Sequence, residues 1–212
     1  MKYNFVGDLH GKWEDVEEAL THDGHVVFVG DYMDSFDRSI DDQERTLLLV
    51  LDAIERGKAT GLFGNHELSY LTMAHRCSGY NLDADAMIIP HKQRMINLLK
   101  THLIIEPDWY ITHAGVHPYV WEQQTLADVS LADTTTAEHW IGASRGGNQW
   151  VGGIWWCDFN MEFLPILGIS QIFGHTSYGG HNIRTSHSIE DNTKNYCIDC
   201  LDQKEVFLHL DL

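Results

Sequence analysis

The chain has 212 residues, of which 43% are hydrophobic, and its 31 acidic and 14 basic residues give a net charge of −17 with neutral histidine. This length suits one domain spanning residues 1–212. The acidic balance disfavours long nucleic acid as a partner, because nucleic-acid binders use lysine and arginine to displace condensed counterions. No apolar run approaches the roughly 20 residues of a membrane span, so we expect no membrane association.

Three short apolar runs in the first third of the chain have the character of buried strands. They are residues 3–6, 25–29 and 60–63, and each is followed directly by a glycine. Short apolar runs bounded by glycine are typical of strands inside a sheet. We therefore predict the first three strands of the fold here.

Two helical patterns separate these strands. The apolar side chains between residues 13 and 20 recur at helical spacing, and residues 47–54 read as a buried helix that starts near Asp42 or Thr46. The resulting β-α-β-α-β order is typical of an α/β fold whose neighbouring strands are parallel.

The pattern loosens between residues 68 and 107. Residues 95–102 carry apolar side chains at helical spacing, so we predict a small helical insertion in this region. Residues 134–153 are rich in threonine and glycine and are predicted to form an irregular loop.

Four further strands are predicted in the second half, at residues 109–112, 171–173, 195–199 and 205–210. Five of the predicted strands end in turns that carry a side chain able to bind a metal. Ligand sites of open α/β sheets usually lie beyond the carboxyl ends of the strands. We therefore expect these side chains to meet at one edge of the fold.

The four cysteines do not form a metal-binding pattern. Two residues separate Cys197 from Cys200. The chain has no second pair with this spacing, so a four-cysteine zinc site is excluded. Together with Cys77 and Cys157 they are predicted to be buried free thiols. The first motif begins at Gly7 and leaves no room for a signal peptide, so we expect a reduced, cytoplasmic protein.

Five short motifs follow five of the strands. They are Gly7-Asp8-Leu9-His10-Gly11, Gly30-Asp31-Tyr32-Met33-Asp34, Gly64-Asn65-His66-Glu67, His113-Ala114-Gly115 and Gly174-His175-Thr176. Together, and in this order, they resemble the calcineurin-like metallophosphoesterases, particularly the branch that contains the protein Ser/Thr phosphatases. The resemblance covers residues 7–176. It implies an α/β sandwich of two sheets flanked by helices.

The resemblance also implies a centre of two divalent metal ions. Its ligands would be Asp8, His10 and Asp31 for one ion, and Asp31, Asn65, His113 and His175 for the other. The two carboxylate oxygens of Asp31 could bridge cations about 3.5–4 Å apart. Nitrogen and oxygen donors without thiolate favour manganese first, with iron, zinc, cobalt or nickel as alternatives.

By resemblance, the reaction is hydrolysis of a phosphomonoester by a hydroxide that both metals hold. His66 would donate the proton to the leaving oxygen, and Asp34 would fix the tautomer and orientation of His66.

The chain departs from this family at the residues that grip the phosphate. Protein phosphatases of the family carry an arginine where Ser35 stands, and often another where Phe63 stands. An arginine matches phosphate with two parallel hydrogen bonds that serine cannot replace. We predict that Arg145, in a glycine-flanked loop, takes this role, with Arg38 as the second choice.

Three functions remain open at this point. The first is a phosphatase acting on a phosphorylated protein or small phosphoester, most similar to the protein Ser/Thr phosphatases. The second is a hydrolase of diadenosine polyphosphates or other small nucleotides. The third is a non-catalytic metal-bound scaffold, which the presence of His66 and Asp34 disfavours because a scaffold needs no proton donor. The oligomeric state does not follow from the sequence.

Overall fold

A computed structural model of the chain describes residues 1–72, 75–105, 107–123, 129–177, 183–188, 190–200 and 207–212. The strands predicted near the N-terminus form the first sheet. Its members are β1 (Lys2–Val6), β2 (His25–Phe28), β3 (Ala59–Gly61) and β9 (Leu208–Asp211), in the order β3-β2-β1-β9. The first three strands are parallel and β9 is antiparallel to β1.

The second sheet has five strands in the order β4-β5-β6-β8-β7. They are β4 (Leu103–Ile105), β5 (Trp109–Ile111), β6 (Ser170–Phe173), β7 (Arg184–His187) and β8 (Lys194–Cys197). The three central strands are parallel, and the two edge strands are antiparallel to their neighbours.

The two sheets pack face to face over a common apolar core. The buried side chains of this core come from both sheets: Phe5, Val27, Val29, Leu62, Ile105, Ile111, Ile172, Ile198 and Leu208. Alternate residues of a strand point to opposite faces, and accordingly Val26 and Phe28 belong to the other core, beneath the helices. The predicted α/β sandwich of two sheets is confirmed.

Six helices accompany the sheets in the described parts of the chain. They are α1 (Trp13–Ala19), α2 (Ile40–Glu55), α3 (Asn65–Leu71), α4 (Leu82–Ile88), α5 (Lys92–Leu98) and α6 (Pro118–Glu122). Short 3-10 helices form at Ile89–His91, Ala137–His139 and Ala143–Arg145. The last two lie within the loop predicted over residues 134–153.

Helix α2 begins earlier than the sequence indicated. Its N-cap is Ser39, whose hydroxyl accepts a hydrogen bond from the backbone N–H of Asp42, while the Asp42 carboxylate accepts from the Ser39 N–H. This reciprocal capping satisfies two amide groups that a helix start leaves without partners. The predicted starts, Asp42 and Thr46, therefore both lie inside the helix.

The predicted helical insertion at 68–107 contains α4 and α5, but its end is not helical. Helix α5 ends at Leu98, and the next residue, Leu99, is extended with φ −79° and ψ 147°. Strand β4 then pairs with β5, and Ile105 is buried between the sheets. The prediction of helix as far as His102 was wrong because the backbone of Lys100 hydrogen-bonds to Gly61 and Phe63 at the end of β3, and β4 begins at Leu103.

Two further details differ from the sequence prediction. Strand β7 was not predicted, because its sequence Arg-Thr-Ser-His is polar and it forms the edge of its sheet. Residues 205 and 206 of the predicted last strand lie outside the described residues, and that strand is seen at Leu208–Asp211.

All four cysteines are free and buried, as predicted. In the part of the chain that the structure describes, no helix combines the length and the apolar character needed to cross a bilayer.

Candidate metal centre

The motif residues meet at the carboxyl ends of strands from both sheets. Asp8 and His10 follow β1, Asp31 follows β2, Asn65 and His66 open α3 after β3, His113 follows β5, and His175 follows β6. All but His113, which is fully buried, line a cavity of about 680 Å³. Parallel strands end at the same edge, so the topology brings together side chains that are far apart in sequence.

Asp31 occupies the centre of this cluster. Its Oδ2 lies 3.3 Å from Nε2 of His113, 3.8 Å from Nε2 of His66 and 3.9 Å from Nε2 of His10. Two groups of side chains have ligand atoms close enough to hold a cation: Asp31 with His10 and His66, and Asp31 with His113 and His175. Asp31 is the residue that both groups share.

Asn65 and His113 place several electron-pair donors close together in the second group. The Nδ1 of His113 lies 2.9 Å from the carbonyl oxygen of Val29, so Nδ1 donates to it, and Nε2 of the neutral ring carries a lone pair. That nitrogen faces the side-chain oxygen of Asn65 at 2.8 Å and the carboxylate of Asp31. Three acceptors face each other, so a proton or a metal ion must lie between them.

The pKa of His113 also reflects the negative charge that surrounds its ring. Burial lowers the pKa of His113, but the negative charge of Asp31 outweighs burial and raises the pKa to about 9. Conversely, burial and the charges of His113 and Arg145 hold the pKa of His175 well below its ordinary value. His175 is therefore neutral, the form that binds metals, and in the described residues its Nε2 has no hydrogen-bond partner.

Asp8 adds a second buried carboxylate to the cavity. Both of its oxygens accept from the backbone N–H of His175, at 3.0 Å each. Burial, followed by the charges of Asp199 and Asp31, raises the pKa of Asp8 well above its ordinary value. Asp8 belongs to neither of the two closest groups of ligand atoms. Its carboxylate, with Asp31 and Asp199 nearby, still adds negative charge that would favour a divalent cation in the cavity.

Backbone strain concentrates in this cluster. His10, Asp31, Asp34 and His175 have φ between 44° and 66°, and Asn192 is the one other non-glycine residue with positive φ in the described ranges. Such left-handed conformations are unfavourable for residues with a Cβ atom and persist where the surrounding structure enforces them. The strain indicates that the side-chain directions of these four residues are functionally constrained.

Asp34 connects His66 to a tyrosine. The Nδ1 of His66 lies 2.9 Å from one carboxylate oxygen of Asp34, and the hydroxyl of Tyr70 donates a short hydrogen bond to the other. Burial lowers the pKa of His66, but the charges of Asp31 and Asp34 outweigh it and raise the pKa to about 9. With Nδ1 held by Asp34, Nε2 faces the cavity and can carry a proton there.

The sequence did not assign a role to Glu67, although it ends the third motif. Its buried carboxylate accepts from the backbone N–H groups of Gly64, Asp31 and Tyr32 at 2.8, 2.9 and 2.8 Å. Burial and the nearby charge of Asp31 raise the pKa of Glu67 to about 7. Glu67 thus ties the turn of the second motif to the start of α3. In the sequence, its position directly after His66 is the feature that could have indicated a role for Glu67.

Cys77 was also missed, and no sequence signal could have found it. Its sulfur lies 3.0 Å from the side-chain nitrogen of Asn65. This contact turns the Asn65 oxygen toward the histidines.

Arg145 lines the cavity, whereas Arg38 does not. One terminal nitrogen of Arg145 lies 2.9 Å from the Asp158 carboxylate and 3.1 Å from the Thr176 hydroxyl. Its Nε is buried, with no hydrogen-bond partner among the described residues. Arg38 instead pairs with Glu14 at 2.9 Å.

The two residues that replace the family's arginines have local structural contacts. Ser35 accepts from the backbone N–H of Arg38 and donates to Asp37 within the same loop. Phe63 is buried in the core, and its carbonyl accepts a hydrogen bond from the indole of Trp155.

Comparison with known proteins gives one family and several similar folds. The family model described as calcineurin-like phosphoesterase matches residues 1–180. A cold-active protein tyrosine phosphatase has a similar structure, with 17% identity and a TM-score of 0.60 over 99% of this chain and 73% of that chain. A protein serine/threonine phosphatase from Saccharomyces cerevisiae, with similarity to human phosphatase PP5, has 16% identity and a TM-score of 0.52 over 97% and 70%. At these identities the two structures show a shared fold.

Proposed function

Because the chain belongs to the calcineurin-like phosphoesterase family, we propose that this metal-dependent phosphoesterase removes phosphate from phosphorylated protein side chains. The observation that carries the proposal is the hydrogen bond between His66 and Asp34 within a cluster where two groups of possible metal ligands share Asp31. The names of the two similar structures, a tyrosine and a serine/threonine phosphatase, support a phosphoprotein substrate.

Two divalent cations, when bound, supply positive charge that makes a water molecule more acidic and offsets the charge of the phosphoryl oxygens. We assign six residues to hold them: Asp8, His10 and Asp31 for one, and Asp31, Asn65, His113 and His175 for the other. Manganese is the proposed metal, because imidazole, amide and carboxylate donors suit it and no cysteine is assigned as a ligand.

His66 is the proposed proton donor. Its Nε2 faces the cavity, while Asp34 holds Nδ1 and Tyr70 in turn holds Asp34. The Asp34 carboxylate at Nδ1 stabilises the protonated imidazole, so that Nε2 can donate a proton to the leaving oxygen. A non-catalytic scaffold would have no use for this chain of three buried groups.

Arg145 is the proposed phosphate-binding residue. Its terminal nitrogen is held by Asp158 and Thr176, which fixes the guanidinium at the cavity wall. Because Arg145 lines the cavity that holds the candidate metal ligands, its guanidinium is proposed to donate to the phosphoryl oxygens. Arg38 is engaged by Glu14 outside the cavity, so Arg145 is favoured over it.

A substrate panel tests the proposal. Protein loaded with manganese should hydrolyse phosphoserine, phosphothreonine or phosphotyrosine peptides and p-nitrophenyl phosphate, and a chelator should abolish both activities. Hydrolysis of diadenosine tetraphosphate without hydrolysis of any phosphopeptide would replace the proposal with a nucleotide hydrolase. Absence of turnover with all substrates, despite two bound metals per chain, would favour a scaffold.

A further inference from the structure

A second cavity of about 560 Å³ adjoins the first one. The two share the walls formed by Asn65, His75 and Trp156. The rings of His75 and Trp156 meet edge to face at 4.9 Å, so this pair forms the boundary between the cavities. A ligand whose phosphate lies in the first cavity can therefore extend past His75 into the second.

The second cavity has a neutral lining. It is formed by hydroxyl, amide, aromatic, imidazole, aliphatic and backbone groups, with no lysine, arginine, aspartate or glutamate among the described residues that line it. The first cavity, in contrast, contains several carboxylates together with Lys12 and Arg145. We call the second cavity the neutral groove; its lining includes Thr134, Trp140, Gly146, Gly147, Asn148 and Gln149.

One loop connects the proposed phosphate-binding residue to this groove. Arg145 ends a 3-10 helix, and the next four residues line the groove. Gly146 turns the chain with φ +82°, a conformation that favours glycine. At Gly147, a Cβ atom would lie 1.9 Å from the carbonyl oxygen of Ile141, so the backbone packs too closely for any side chain. Within this short loop, Arg145 therefore lines the first cavity and Asn148 lines the neutral groove.

We propose that the neutral groove binds the polypeptide that flanks the phosphorylated residue of the substrate. The inference rests on the proposed phosphoprotein phosphatase function. A peptide backbone is uncharged and has both donors and acceptors, which the hydroxyl of Thr134 and the amides of Asn148 and Gln149 can match. A dinucleoside polyphosphate has further phosphates instead, and these would need cations that the groove lacks.

An aromatic surface continues the path beyond the groove. Trp140, which lines the groove, stacks on Tyr119 at 5.9 Å, and Tyr119 contacts Trp150 at 5.1 Å. Trp150 is 59% exposed and Tyr119 is 38% exposed. Exposed aromatic residues are enriched where proteins contact one another. This surface would receive apolar side chains of the same polypeptide further from the phosphorylated residue.

The test compares a phosphopeptide with a substrate too small to enter the groove. The substrates are a phosphoserine peptide of about ten residues, which spans about 30 Å when extended, and p-nitrophenyl phosphate. Replacing Asn148 and Gln149 together with alanine should raise KM for the peptide about tenfold, the effect of losing about two ordinary hydrogen bonds. The kinetic constants for p-nitrophenyl phosphate should not change.

A matched control removes the same residue types elsewhere. Gln93 and Asn97 are exposed on α5, hydrogen-bond to each other and line neither cavity. Their double alanine variant should leave peptide kinetics unchanged. Asn148→Trp provides a second variant at an exposed position, and its bulk should block peptide but not p-nitrophenyl phosphate.

The outcomes separate the two proposals. If wild-type protein hydrolyses the phosphopeptide and both groove variants keep its KM, the groove inference is wrong and the phosphatase proposal stands. If wild-type protein hydrolyses diadenosine tetraphosphate but no phosphopeptide, the proposed function fails and the groove inference fails with it.

Discussion

At the scale of single residues, Asp31 is the group on which the candidate metal centre depends. Its Oδ2 faces histidines of both ligand groups, and its backbone N–H is held by Glu67. The backbone of Asp31 is left-handed with φ 56°, and Gly64 leaves room for its carboxylate, because a Cβ atom there would lie 2.0 Å from Oδ1. The position is therefore specified by several neighbours at once.

Replacing Asp31 with asparagine should abolish turnover and lower bound metal toward one ion per chain. The amide removes the negative charge that both proposed sites use, while its size preserves the packing. Turnover and metal analysis of the purified variant measure the two effects. Full activity with two bound ions would remove Asp31 from the site.

His66→Asn should keep both metals and lower kcat by about 10²–10⁴, the usual contribution of general acid–base catalysis. The loss should be smaller for p-nitrophenyl phosphate than for an alkyl phosphate, because an acidic leaving group needs less protonation. Metal analysis provides the control, since His66 also lies near Asp31 and His10. Equal losses for both substrates would contradict the proton-donor role, and loss of a metal ion would make His66 a ligand instead.

Arg145→Ala should lower kcat/KM. The loss should correspond to about 1.5–3 kcal/mol of transition-state stabilisation, the range for hydrogen bonds to charged groups. Arg145→Lys should recover only part, because lysine cannot donate two parallel hydrogen bonds. Arg38→Ala is the matched control, since Arg38 pairs with Glu14 away from the cavity. If Arg38→Ala lowers kcat/KM and Arg145→Ala does not, the phosphate-binding role passes to Arg38.

At the scale of elements, the apolar pattern of the sequence predicted a strand or helix correctly where its spacing matches the burial of the side chains. The alternation in β2 places Val27 in one core and Val26 in the other, so its apolar run identified a buried strand. Strand β4 could not be recognised in this way, because it directly follows a helical pattern and is fixed by pairing with β5. The start of α2 carries a local signal in the sequence, because Ser39 and Asp42 have the spacing of a capping box.

The same division applies to the candidate site. The motif residues could be named because each stands directly after a strand, and parallel strands end at one edge. Their roles remain predictions. Tyr70 and Cys77 could not be named, because each reaches the site only through the tertiary packing of α3 and the segment that follows it.

Ser39→Ala should lower the free energy of unfolding by about 0.5–2 kcal/mol, because it removes the N-cap of the longest helix. Urea denaturation measures the change. Ser39→Asp should restore most of the stability, since aspartate is an equally good N-cap. An alanine variant as stable as the wild type would show that the end of α2 contributes little.

At the scale of the whole molecule, the proposed ligands come from both sheets. Asp8, His10, Asp31 and Asn65 follow strands of the first sheet, and His113 and His175 follow strands of the second. Cations bound between them would therefore hold the two sheets together at one end of the sandwich.

Chelation should therefore lower thermal stability as well as activity. A ligand that binds only the folded state stabilises it by about 2.7 kcal/mol at a free concentration of one hundred times its Kd. Tm measured by scanning calorimetry should rise with added manganese and fall with chelator. Asp31→Asn is the comparison, because its Tm should respond less. A Tm insensitive to manganese would contradict binding across the two sheets.

The backbone amide of His175 and the carboxylate of Asp8 meet although 167 positions separate them in the chain. Cations bound at these two residues would close a loop containing most of the polypeptide. In the chain-entropy description, a covalent cross-link closing about 100 residues is worth about 4.7 kcal/mol, and the value grows only slowly with length. All four cysteines are free, so no disulfide provides such a link. The bound ions would then also act as a reversible cross-link, which forms on metal binding and is broken by a chelator without any redox reaction.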